Sequence, residues 1–474
     1  MLASLRWMSF ITLGLFLVLL IAPTLSFAAE TNTVTLNLDR LWVLAAACMV
    51  FMMQAGFLLF EIGVVRRKNV MATAMKNVID WIVVSIAFFL VGFGVMFGQD
   101  TQGFIGQSFF ALSGIELSDH ALGYIFVVYQ MAFAGTALTI VSGAMSERTG
   151  FIPYITFSLV LGMLIYPVFG HWAWGNHFIE GNSAWLADLG FMDFAGATVV
   201  HGIGAWCALI GVWMVGPRLG RYDEHGRMQD LKSYNIGLTA LGVLLLWFGW
   251  WGFNGGSTYA MNDQVGLIIL NTNMAGAGAA LFAFFHCFFA QNRENLYDKT
   301  LGGALGGLVA VTASANIVAP LSALMIGAIA GMLHNYAYDL ILKKMRLDDV
   351  VGAVPVHGVC GVWGTLAVAL FGKAELLAHP WTMQLAVQAI GVITCMTWTM
   401  SVAYIAFKVL KMTVGLRVSP VLEQEGLSII KEFDKTEMEE VDPDVLAMLL
   451  AKEGIGSQAS SANKGDGGGQ KSAA

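Results

Sequence analysis

Charge is what this sequence has least of: 12% of its 474 residues are Asp, Glu, Lys or Arg, about half the roughly one quarter usual in soluble domains. A soluble core could not hide the 57% that are hydrophobic, so the composition implies a chain embedded in a membrane. Basic residues are scarcer than acidic ones, 25 against 32, which excludes a nucleic-acid-binding surface. Eleven of the acidic residues lie between Glu423 and Asp466, so the net charge of −7 belongs largely to a tail. The five cysteines, Cys48, Cys207, Cys287, Cys360 and Cys395, are scattered without paired or metal-ligand spacing. They read as small packing residues, with no disulfide framework and no metal.

What is present is a series of long apolar runs. A bilayer core requires ~20 apolar residues per helix, and eleven such runs are found, at about 41–64, 77–98, 121–145, 151–170, 195–215, 236–255, 264–289, 302–317, 319–342, 350–372 and 383–409. Ahead of them, Arg6, the apolar run Met8 to Ala22, Pro23 and Ser26-Phe27-Ala28 form a signal-peptide pattern over 1–28; the alternative is an uncleaved extra helix. The basic clusters at Arg66-Arg67-Lys68, Arg148, Arg218 to Lys232, Arg293 with Lys299, and Lys343 to Arg346 fall on alternate sides of the count. All therefore face the cytoplasm, with the N-terminus outside and the C-terminus inside. The membrane domain is expected over 39–417 and a cytoplasmic tail over 418–474. That tail carries a short amphipathic piece, Pro443 to Leu450, and is disordered after about 456.

An internal repeat runs through the apolar part. Asp193-Phe-Ala-Gly196-Ala197-Thr-Val-Val200-His201-Gly202 matches Asp349-Val-Val-Gly352-Ala353-Val-Pro-Val356-His357-Gly358 at six of ten positions, 156 residues apart. The copies fall on the fifth and tenth runs. Five is odd, so two consecutive five-helix units, about 41–215 and 236–372, have opposite topology and form inverted repeats. The eleventh helix, 383–409, falls outside the duplication. The expected fold is all-α and integral to the membrane.

An ionisable side chain within hydrocarbon is expensive and marks function by default. One buried histidine is more often a hydrogen-bonded core residue, but two at repeat-equivalent positions, His201 and His357, reverse those odds. A neutral imidazole offers one donor and one acceptor, so a facing pair can bond to each other and still present a polar edge to a pore. His286 and His334 fall near membrane boundaries, and His120, His171, His177, His225 and His379 in or beside loops. Tyr129 and Phe133 are four apart on one helix and share a face, as are Phe253 and Ser257, and Trp174 follows the fourth run on the outside. Singly each is better explained as packing or an interfacial anchor; together they offer π faces, worth ~2 kcal/mol to a desolvated cation, and a hydroxyl acceptor. Glycine, 54 residues, recurs as in Gly252-x-x-Gly255-Gly256 and Gly302-Gly303-x-x-Gly306-Gly307, the spacing of closely approaching membrane helices. No strand precedes any of them, so a phosphate cradle is excluded.

With the two histidine segments, the run Trp247-Phe-Gly-Trp-Trp-Gly-Phe253-Asn-Gly-Gly-Ser257 and Gly415-Leu-Arg-Val418, the sequence resembles the Amt/Rh ammonium transporter family of the bacterial Amt type. The resemblance extends from about Asp39 to Val418. It implies a homotrimer in the cell's inner (plasma) membrane, each subunit having its own pore, and a transporter for ammonium or ammonia that is neither an enzyme nor dependent on a cofactor. By similarity, Trp174, Phe133 and Ser257 line an outer recruitment site, Asp193 supports it from below, Phe133 stacks with Phe253 as a gate next to Tyr129, and His201 and His357 form the conduction path. Ammonium would be deprotonated near the gate, ammonia would pass, and the proton would follow the histidines, moving net charge.

Tyr129 stands where the family often has phenylalanine, and Ala197 where glycine is common. The larger departure follows Glu425-Gly426-Leu427, where the family's ending gives way to Ser428-Ile-Ile-Lys-Glu-Phe-Asp434 and an acidic extension. Family members are often blocked by cytoplasmic P-II signalling proteins, and this altered tail puts that partner in doubt. Two other readings stand beside transport: an ammonium sensor with the same fold and little flux, and a neutral gas channel of the Rhesus type.

Overall fold

The computed structural model describes residues 2–100, 102–115, 121–291 and 293–433, with side chains from residue 33 to 432. The signal-peptide segment 1–28 falls outside the described side chains, and His120 and the tail beyond 433 fall outside the described residues. The described residues are helical, with two isolated backbone bridges and no strand. Nine helices among them are long and apolar enough to cross a membrane. These are α1 (Leu2–Val64, crossing over Thr33–Val64), α2 (Arg67–Phe97), α3 (Tyr124–Ala144), α4 (Phe151–Trp174), α5 (Ala197–Val215), α6 (Ile236–Thr258), α7 (Gln264–Ala290), α10 (Val354–Phe371) and α11 (Trp381–Thr413). Between α7 and α10 lie α8 (Leu296–Val311) and α9 (Pro320–Tyr338). The sequence suggests spans over 302–317 and 319–342, but α8 has only 16 residues, about 24 Å at 1.5 Å per residue. On α9, His334 and Asn335 interrupt the apolar run.

Helices pack where side chains are small. The long contact of α1 with α6 depends on Gly242, where a Cβ would lie 2.5 Å from the Phe60 backbone nitrogen. Small residues replace hydrophobic driving force here, because lipid tails are as apolar as leucine and only close packing favours helix over lipid.

On one end of the bundle the basic clusters converge on buried acids. Arg218 bonds Asp348 at 2.7 Å and also pairs with Glu147; Arg66 reaches Glu147 at 3.1 Å and Arg221 reaches Asp348 at 3.2 Å. Arg148 donates to the Asp348 carbonyl at 2.7 Å. Farther along the same face, Lys299 and Lys343 pair with Asp339, each at 2.9 Å. The start of the tail is fastened there too: Arg417 binds Glu423 at 2.7 Å, Glu423 accepts from the Leu219 N–H, and Leu427 donates to Asn69 at 2.9 Å. Residues 418–432 are thus a docked strap over this basic face.

Burial by itself would raise the Glu147 carboxyl, but Arg218 and Arg66 hold it down to about 2. A depressed folded-state pKa contributes stability that is full above the unfolded value and lost as pH falls through the folded one. The thermal midpoint of the purified protein should therefore decline from about pH 4.5 down to about pH 2. Glu147→Gln should remove that part of the acid response and, by leaving two guanidinium groups short of a partner, cost about 3–5 kcal/mol at neutral pH. A variant with an unchanged melting profile across that range would contradict this account.

Candidate functional site

Two helix starts inside the protein build the centre of the site. Gly196 and Gly352 turn the chain with φ of 108° and 69°, a left-handed conformation that glycine adopts without strain. Each is preceded by an aspartate that satisfies the orphan N–H groups of the following turn. Asp193 Oδ1 accepts from Gly196 and Ala197 and Oδ2 from Thr198 and Val199, at 2.8–3.1 Å; Asp349 Oδ2 accepts from Val354 at 2.7 Å. Burial pushes the Asp193 carboxyl above its ordinary range, against the pull of those four N–H groups. The turns that follow, Ala197–Gly202 and Val354–Val359, are π-helical. This widened winding, frequent at functional sites, carries His201 and His357.

The two imidazoles meet with Nδ1 facing Nδ1 at 3.2 Å, their rings 5.1 Å apart and 21° from parallel. Both are buried. Trp250 and Phe253 lie against the His201 ring, 5.1 and 5.4 Å between centroids, and the Trp250 indole N–H is fixed on Thr312 Oγ1 at 3.0 Å. His201 Nε2 has no hydrogen-bond partner.

Beside the histidines, Phe133 and Phe253 stack face to face at 3.9 Å and 8°. The Tyr129 ring is 4.7 Å from Phe133, and its hydroxyl bonds the Phe253 carbonyl at 2.7 Å and Ser257 Oγ at 3.2 Å. Trp174 stands 6.3 Å from Phe133 with its indole N–H on the Asp193 carbonyl at 2.8 Å. Trp174, Asp193 and Ser257 line a vestibule of about 490 Å³. Tyr259 and His177 line it as well, joined to each other at 3.2 Å, with Tyr259 also held by Gln130 at 2.9 Å. Neither stands out in the sequence, because a loop histidine and a tyrosine at a helix end read as ordinary interfacial residues.

On the opposite side His357 borders a cavity of about 20 Å³ with Phe57, Phe60, Glu61 and Thr139. Phe60 and Val351 are shared with a second vestibule of about 300 Å³, lined by Arg218, Asp298, His334 and Tyr338 at the basic face. Asp193 starts at one vestibule and Val350 lines the other, so the two histidine segments run inward from opposite ends and meet. Of the histidines that the sequence places at boundaries or in loops, His171 and His334 are instead buried within α4 and α9. His171 is tied to Asp100 at 3.1 Å.

Two vestibules lie on either side of an aromatic stack and a buried imidazole pair, in a bundle of membrane-length apolar helices that makes this a multi-pass membrane protein. The chain belongs to the Ammonium Transporter Family, which matches residues 41–437. It is 39% identical over 412 residues to ammonium transporter Amt2 of Archaeoglobus fulgidus, covering 83% of this chain and 87% of that one. It is 38% identical over 359 residues to ammonium transporter 1 member 3 of Solanum lycopersicum, covering 73% and 77%. Among solved structures it is similar to one titled "Sensor Amt Protein", with a TM-score of 0.82 and 44% identity over 84% of this chain and 99% of that one. Mep2 of Saccharomyces cerevisiae superposes with a TM-score of 0.74 at 26% identity, covering 81% and 87%.

Because Asp193 satisfies four N–H groups at once, Asp193→Ala leaves them buried without acceptors, at ~1–3 kcal/mol for each that water cannot reach. The expected result is a melting temperature lowered by several degrees and a His201 side chain with altered nuclear magnetic resonance shifts. Unchanged stability and shifts would show that the cap does not position the histidine.

Proposed function

We propose that the protein carries ammonium across the membrane, recruiting the cation in the outer vestibule and conducting ammonia and a proton separately through the neck. The observation that carries this reading is the 3.2 Å contact between His201 and His357, beneath a closed aromatic stack. Trp174 and Phe133 offer π faces to the cation, Ser257 offers a hydroxyl acceptor, and Asp193 fixes the Trp174 indole. A hydrated cation cannot pass the stacked Phe133 and Phe253, and stripping its water in an apolar neck is costly. Neutral ammonia is small and weakly polar, so deprotonation near Phe133, Phe253 and Tyr129 removes most of that cost. The proton follows through His201 and His357. Potassium resembles ammonium in size but has no proton to give up, so chemistry discriminates where pore width does not. The membrane potential then contributes about 2.3 kcal/mol per charge per 100 mV.

The reading extends to eleven spans, with α8 and α9 crossing as shorter helices and two inverted five-helix units. It includes a homotrimer in the inner membrane surrounded by lipid, the basic face and strap in the cytoplasm, and residues 1–28 as a cleaved signal peptide. A P-II protein would have to approach a face whose strap is already docked.

Ammonium sensing with little flux is the second reading, favoured by the likeness to the structure titled "Sensor Amt Protein". Currents on a supported membrane separate the two. Ammonium pulses on proteoliposomes should give transient currents, potassium pulses none, and the His201→Ala/His357→Ala double variant should lose at least about tenfold. Saturable ammonium binding without current would favour sensing, and full currents in the double variant would sink the proton path.

A further inference from the structure

Glu61 on α1 has no part in the histidine pair or in the outer vestibule, yet the residue is 1% exposed and borders the 20 Å³ cavity that His357 also borders. Its Oε2 accepts from Asn77 Nδ2 at 3.0 Å and lies 3.4 Å from Ser142 Oγ; its Oε1 has no partner. Thr139 lines the cavity too; its hydroxyl donates toward Gln54 and the Gly135 carbonyl and keeps its lone pairs to accept from a water. A cavity of this size holds about one water, which needs at least 10–15 Å³ and two or more polar partners. Glu61 and His357 are the two ionisable side chains among its lining residues. A bare carboxylate oxygen sealed from solvent is costly, so a bridging water or a proton is what that oxygen is shaped to take. The charged groups facing this region come from α2: Lys76, whose ammonium bonds the Ser142 carbonyl at 2.9 Å and lies 4.7 Å over the Tyr154 ring of α4, and Asp80, buried beside the Tyr154 and Ser142 hydroxyls.

We infer that Glu61 is the inner proton acceptor of the pore, receiving through one water the proton that the histidine pair delivers; this rests on the transport reading. His357 uses Nδ1 toward His201, which leaves its Nε2 edge for the next transfer. The N–H bond of the His357 imidazolium breaks, its electron pair stays on the ring, and the water passes a proton to Glu61 Oε1. The carboxylate becomes a neutral acid, with Lys76 nearby to balance its charge before the transfer. Release past the Phe60 and Val351 wall into the inner vestibule restores the carboxylate, and the proton recombines there with ammonia to give ammonium. Glu61 acts on the substrate only through the histidines.

The test uses full-length protein in proteoliposomes, with ammonium pulses read both as current and by infrared difference spectroscopy. Glu61→Gln should lower the current at least about tenfold while the half-saturating ammonium concentration stays within about twofold, and Glu61→Asp should recover part of the rate. Wild type should show a carboxylic-acid carbonyl band that appears with the pulse, shifts in deuterium oxide and is missing in Glu61→Gln. Wild-type current with Glu61→Gln equally fast, or a wild-type spectrum without such a band, overturns the role of Glu61 alone. Wild type without any current overturns the transport reading and this inference together. Should Glu61→Gln fail to assemble, the wild-type band and the Glu61→Asp rate decide: no band, or an Asp variant with wild-type current and an unmoved band, overturns it.

Discussion

The contact between two Nδ1 atoms admits only one proton. If both rings carried hydrogen there, two donors would face each other at 3.2 Å; if neither did, two lone pairs would. One ring donates and the other accepts, so the outward edges have opposite roles: one Nε2 carries hydrogen and the other a free lone pair. The pair is therefore polar from one outward edge to the other, and a proton added at one end and removed at the other would reverse both tautomers. His201 Nε2, buried and without a partner, is the end that the proposed transfer would use. A cost of this kind persists only where the surroundings fix the geometry.

Those surroundings are arranged to do so. The histidine rings hang from π-helical turns whose first N–H groups are held by Asp193 and Asp349 rather than by water, as non-helical backbone within a membrane requires. Trp250 is clamped by its own hydrogen bond to Thr312 and presses on His201 from the side. The same aspartate fixes Trp174 through its carbonyl, so one residue couples the vestibule wall to the histidine turn. Stability and function are joined here: loosening the cap would disturb the aromatic face and the imidazole together.

Much of this was legible in the sequence because it is repeated. The match of Asp193 to His201 with Asp349 to His357 singles out both histidines, and an odd number of helices between copies supplies their opposed directions. Phe133, Phe253, Tyr129, Trp174 and Ser257 stand close together in the structure, though spacing alone relates them only in pairs. What the sequence does not carry is winding. The π-helical turns use ordinary residues such as Val, Ala and Thr, and only the aspartate cap distinguishes their starts. Boundaries shift in another place: the run at 302–317 is met by helix α8 at Leu296–Val311, after which the chain turns through Thr312 to Asn316. Those turn residues supply Thr312 for Trp250 and Asn316 for the vestibule lined by Trp174, so the end of α8 gives the site part of its polar lining.

Glu61 was hidden for a different reason. It lies at the end of an apolar run, five residues before a basic cluster, where an acid ordinarily reads as a solvated helix end. The fold instead brings α2 and α3 over it, so that Asn77 and Ser142 take one oxygen and the residue borders a water-sized cavity. Proton movement through a dry neck needs a sink on the far side as much as a relay in the middle. Without one, an imidazolium formed at His357 would leave only by returning toward His201, and the tautomers could not be reset for the next ammonium. The narrow neck excludes bulk water from this duty, since Phe57, Phe60 and Val351 leave space for about one molecule. In the proposed path a buried carboxyl meets that requirement, and Glu61 is the acid bordering that space.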